Sequence, residues 1–143
     1  MIVEFQRLKN VENDRLNAGW NIQRMLAKVN YRIHTDAIKE KLIPPILSRG
    51  QINEVYANEA DMLNVALFGT TARQWREANP DVEGNIRDHA AIEQLVVLSN
   101  LESINAVFIR QGLEQSIRLQ QLNVIAITQI KSIVGHSSIL KLK

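Results

Sequence analysis

Hydrophobic residues recur at three- and four-residue steps along most of the chain, and no stretch alternates convincingly in the two-residue pattern of a half-buried strand. The pattern therefore predicts helices throughout. The first covers residues 4–41, where Ile22, Leu26, Val29, Ile33 and Ala37 make an apolar face and Arg24, Lys28 and Arg32 lie on the opposite side. The apolar face is expected to pack and the basic side to be wet. In the first half of this helix Phe5 and Leu8 keep the same register, but Glu12 and Arg15 stand where further apolar residues belong. Gly19, at a cost of about 1 kcal/mol relative to alanine, marks either a bend or close packing beside Trp20.

Pro44 and Pro45 end the first helix, because proline removes an amide donor and drives the residue before it out of the helical region. Ser48 and Gln51 have the spacing of a capping box, and Ile52, Val55, Tyr56, Ala60, Leu63, Ala66 and Leu67 then form a helical face that Gly69 stops. Thr70 or Thr71 caps a short connector helix closed by Asn79-Pro80. Asn85 or Asp88 is read as the next cap, opening a helix to Gln111 that is apolar over most of its circumference and so belongs at the centre of a bundle. The last helix runs over 114–134, with Gly135 as its stop. The expected fold is all-α: a long N-terminal helix, about three further main helices and a short connector.

Lengths add a constraint. A 38-residue helix is about 57 Å long, whereas a compact chain of 143 residues is roughly 37 Å across. Either the helix breaks near Gly19 and folds back, or residues 1–20 project from a bundle formed by 21–143. The sparse apolar pattern favours projection, with Phe5 and Leu8 covered by another copy of the chain or by a neighbouring domain.

Composition narrows the chemistry. No cysteine is present, which excludes disulfides and thiolate metal sites. No two glycines lie closer than Gly69 and Gly84, so no phosphate-cradling loop exists. His89 and Glu93 share a helix face, but the sequence places no third ligand beside them, and neither a metal nor a cofactor is expected. No catalytic residue stands out. The apolar runs are about one turn long, far short of a membrane span, and the first residues lack a signal-type core, so a soluble, cytoplasmic protein is expected.

Charge is uneven. Residues 1–50 carry nine basic and five acidic side chains, 51–100 three and eight, and 101–143 five and two. Any basic stripe lies in the first third, where Arg24, Lys28 and Arg32 form a row suited to phosphate contact. Within the most apolar helix, Asn100, Glu102 and Asn105 need polar partners. A buried network of Glu59, Arg76, Arg87, Asp88, Glu102 and Asn105 is expected to supply them. The alternative use of Glu59, Arg87, Asp88 and Glu102 is a ligand-binding or small enzymatic site in a helical cleft.

Several strings, in order, carry a family resemblance. Glu4-Phe5-Gln6-Arg7-Leu8-Lys9 resembles the last helical residues of the KilA-N domain, a DNA-binding module of phage and phage-derived bacterial proteins. Residues 30–39, 56–61, 74–76, 84–88 and 98–102 are similar to the helical region that follows that domain. The KilA-N domain proper, with its DNA-reading residues, is missing here except for that end. The resemblance implies a non-catalytic association or effector domain of a regulator that meets DNA mainly through the missing module. Together with the long helix it points to a homo-oligomer.

Overall fold

The computed structural model describes residues 2–135, and the side chains at 2–9, 12–20 and 23 stand outside that description. Phe5 and Leu8 are among them. Five helices follow one another: α1 (Ile2–Lys41), α2 (Arg49–Phe68), α3 (Ala72–Ala78), α4 (Ile92–Arg110) and α5 (Gln115–Gly135), with no strand among the described residues. The fold is all-α.

Local chemistry sets most of the ends. Ser48 Oγ accepts from the Gln51 amide while Gln51 Oε1 accepts from the Ser48 amide at 2.9 Å, closing the capping box of α2. Thr71 and Gln74 repeat the device at α3. Gly69 ends α2 in the left-handed region at φ 76°, its amide donating to the Val65 carbonyl. Gly112, at φ 79°, turns the chain after α4, and the next amide, Leu113, reaches back to the Phe108 carbonyl.

The start of α4 departs from expectation. It begins at Ile92, after Ala91, and not at Asn85 or Asp88. Those two residues satisfy each other: Asp88 Oδ2 accepts from the Asn85 amide at 2.8 Å, and Asn85 Oδ1 accepts from the Arg87 and Asp88 amides. The reciprocal bonds close an isolated turn, so a cap-like pair is spent without a helix behind it.

Long-range hydrogen bonds give the helix directions. Asn30 meets Ser99 and Glu40 meets Arg110, so α1 and α4 run parallel. Asn100 meets Gln129 while Asn105 meets Arg118, so α4 and α5 are antiparallel. Glu59 meets Gln115 and Ala66 meets Asn123, so α2 and α5 are parallel. The result is an up-down-up-down bundle in which α4 touches α1, α2 and α5. By length and apolar content alone α4 is long enough to cross a membrane, the one such helix among the described residues. Its position as the bundle's central helix accounts for that composition.

Two apolar clusters fill the interior. Met62, Leu63 and Ala66 of α2, Val97, Leu98 and Leu101 of α4, and Leu122 and Ala126 of α5 form the first. Ala37 and Ile38 of α1 pack with Ala106 and Ile109 of α4 in the second.

Of the expected apolar face of α1 only Ala37 is buried. Ile22, Leu26, Val29 and Ile33 are 60%, 58%, 48% and 40% exposed. The face turned to α4 instead carries Asn30, His34, Ala37 and Ile38, about 100° around the helix from the exposed stripe. The reason is polar complementarity: Ser99 and Asn105 of α4 require partners, and Asn30 and His34 provide them. α1 itself is one helix of 40 residues, about 60 Å long, unbroken at Gly19.

Candidate functional site

A buried polar knot joins four helices. Glu59 of α2, Asn105 of α4, Arg118 of α5 and His34 of α1 are all nearly inaccessible. Arg118 donates through Nη1 and Nη2 to the two Glu59 oxygens, through Nη1 to Asn105 Oδ1 at 3.0 Å, and through Nε to the Leu113 carbonyl at 3.0 Å. Gln115 Nε2 donates to Glu59 Oε2 at 2.6 Å. Asn105 Nδ2 lies 2.8 Å from His34 Nε2 and 3.4 Å from Glu59 Oε1.

These contacts fix the chemistry of each group. The Asn105 amide is oriented by the arginine on its oxygen side, so its nitrogen donates to His34 Nε2 and the ring's own proton sits on Nδ1. Burial drives the His34 pKa down to about 4; the Glu59 carboxylate opposes the shift and the Arg118 guanidinium adds to it. At neutral pH the knot is one ion pair braced by neutral donors and acceptors. Its hydrogen bonds link α1, α2, α4 and α5 at fixed positions, an arrangement suited to holding helix register.

Of the six expected network residues, Glu59 and Asn105 are in this knot. Arg76 is not: it donates to the Asn79 and Val82 carbonyls and lies over the Trp75 ring, 5.1 Å from its centroid. Arg87 and Asp88 are exposed on the loop before α4. Glu102 is buried but faces a different recess. The fold therefore separates Glu59 from Arg87, Asp88 and Glu102, which corrects the idea of a single cluster. Sequence reading missed His34, Gln115 and Arg118. Arg118 carried a signal, being the one basic residue between Arg110 and Lys131 and lying on a stripe with the buried Leu122 and Ala126.

The recess that takes Glu102 lies between α1 and α4, with a volume of about 540 Å³. Leu26, Leu95, Val96 and Leu98 make it apolar, and Arg24, Arg87 and Glu102 bring charge. Asn30 and Ser99, bonded to each other at 2.8 Å, and Asn100, bonded to Gln129 at 3.0 Å, complete the lining. Glu102 is only 6% exposed and makes no hydrogen bond or ion pair among the described residues, and its carboxylate oxygens open on the recess rather than being sealed from it. Burial raises its pKa to about 7 against the pull of Arg87.

The basic row is exposed but divided. Arg24 borders the Glu102 recess, while Lys28 and Arg32 line an open groove of about 460 Å³ with Tyr31, Thr35, Asp36, Lys39 and Tyr56. His89 precedes α4 and so does not share a helix face with Glu93; it stacks on Trp75 with ring centroids 5.4 Å apart, and its Nε2 donates to the Glu83 carbonyl at 2.6 Å. Among the described residues no group of three or more His, Asp or Glu side chains converges on a metal position. No family model, curated protein or solved structure matches the chain.

Proposed function

We propose that this chain is a non-catalytic helical association domain that pairs with a second copy of itself through α1. The observation that supports the reading is the exposed stripe Ile22, Leu26, Val29 and Ile33. Its spacing of four, three and four residues is the period of a coiled-coil seam, on a helix uninterrupted over 40 residues. Asn30 lies opposite Ser99, seven residues into α4, so α4 begins level with about residue 23 of α1. Phe5 and Leu8 continue the seam's register toward the other end.

The energetics suit a reversible contact. Covering four half-exposed aliphatic side chains on each of two helices recovers about 8 kcal/mol, against an association cost of 4 kcal/mol or more. The stripe alone supports pairing in the roughly millimolar range. The resemblance to the region after a KilA-N domain supports a wider role: joining two copies of a phage-type regulator whose DNA contacts lie mainly in that module. Arg24, Lys28 and Arg32 then contribute auxiliary phosphate contacts beside the seam.

Sedimentation equilibrium over a concentration series tests the pairing. The mass is expected to rise from 16.3 kDa toward twice that value, and Val29→Lys, which lines neither recess, is expected to hold it at the monomer. A wild-type chain that stays monomeric at about 1 mM refutes the proposal.

A further inference from the structure

We propose that the recess between α1 and α4 is a binding site for a small zwitterion with a bulky apolar side chain, of the α-amino acid class. The recess is lined by one acidic and two basic groups: Glu102 from α4, Arg87 from the preceding loop, whose charge acts on Glu102, and Arg24 from α1. Glu102 is nine-tenths buried and unpartnered among the described residues, yet it borders open volume. A carboxyl that meets no donor of its own chain and opens on the recess is free to accept one from a ligand.

The charge pattern selects the ligand. A simple cation meeting Glu102 would sit beside Arg24 and Arg87, and a simple anion meeting the arginines would sit beside a nearly buried carboxyl. A molecule with both charges a few bonds apart satisfies each: its ammonium donates to Glu102, and its carboxylate accepts from the Arg87 and Arg24 guanidinium groups. Leu26, Leu95 and Val96 form the wall that receives the side chain, and about 540 Å³ is within the range of small-molecule pockets. With its pKa near 7, Glu102 is readily held ionised by an arriving ammonium.

The site does not depend on self-association, although Leu26 belongs to both the recess and the exposed stripe. Ligand binding is therefore measured on wild type and on Val29→Lys, so loss of pairing and loss of binding read separately.

Calorimetry and thermal shift with L-phenylalanine, L-leucine, N-acetyl-L-phenylalanine and phenethylamine provide the test. A zwitterion at about one hundred times its Kd is expected to raise the melting temperature by roughly 9 °C. Each single-charge analogue is expected to bind about tenfold or more weakly. Glu102→Gln keeps the shape, removes an uncompensated carboxyl and is expected to fold, with L-phenylalanine weakened to the level of N-acetyl-L-phenylalanine. Arg87→Gln, at an exposed position, weakens the zwitterion while sparing phenethylamine. Failure of both amino acids to shift the wild type, equal affinity for a single-charge analogue, or unchanged binding in both variants overturns the inference.

Discussion

Replacing Arg118 by methionine is expected to be among the most destabilising single changes in the bundle. The guanidinium contacts both oxygens of Glu59, the Asn105 side-chain oxygen and the Leu113 carbonyl. Arg118→Met leaves Glu59 sealed in the interior with the Gln115 amide and a 3.4 Å contact to Asn105. Removing one partner of a buried ion pair costs about 3–5 kcal/mol, because the remaining charge has lost both solvent and counter-charge. For a chain of 143 residues that is a fall in melting temperature of roughly 10–17 °C. The double variant Glu59→Met with Arg118→Met removes both charges and is expected to recover at least half of the loss, since apolar replacement of a whole buried pair is often neutral. Urea unfolding of wild type, both single variants and the double at pH 7 gives the coupling energy directly. Arg118→Met within about 1 kcal/mol of wild type, or single losses that simply add in the double, would refute the account of the knot as a register lock.

Two further perturbations follow from the same coordinates. Below pH 6.5 the unfolded chain protonates His34 while the folded chain refuses the proton until about pH 4, so this group costs up to about 3 kcal/mol of stability as pH falls through that window. Glu102 acts in the opposite sense: the folded chain keeps a proton up to about pH 7 that the unfolded chain releases near 4.5, so stability is lost as pH rises. The two slopes offset each other in wild type, and Glu102→Gln is expected to expose a steady loss on acidification when unfolding free energy is measured from pH 7.5 to 4; a flat profile in that variant contradicts the His34 assignment, and a wild-type profile as steep as the variant's contradicts the Glu102 one. Ala91 is the cap of α4 in extended geometry, with Gln94 already accepting from its amide at 2.8 Å, but it has no side-chain oxygen to return the bond. Ala91→Ser completes the box and is expected to add about 1 kcal/mol in urea unfolding, whereas no gain would mean the first turn of α4 is already satisfied.

The sequence alone determined what depends on near neighbours. Pro44-Pro45, the Ser48/Gln51 and Thr71/Gln74 boxes, and the glycines at 69 and 112 act within a few residues of themselves, so the helices they bound are legible in order. The apolar circumference of α4 marked it as central in the same way. Only tertiary structure decided which face of α1 turns inward. A stripe that packs within the chain and a stripe left outside have the same period, and the choice fell to Asn30 and His34 because they match polar groups on α4. The knot was equally hidden, since its hydrogen bonds join residues 46, 59 and 71 positions apart and no local pattern encodes such a match. Asn85 and Asp88 mark the reverse limit: a strong local cap signal resolved into a closed turn, because the groups that would have opened a helix satisfied one another first.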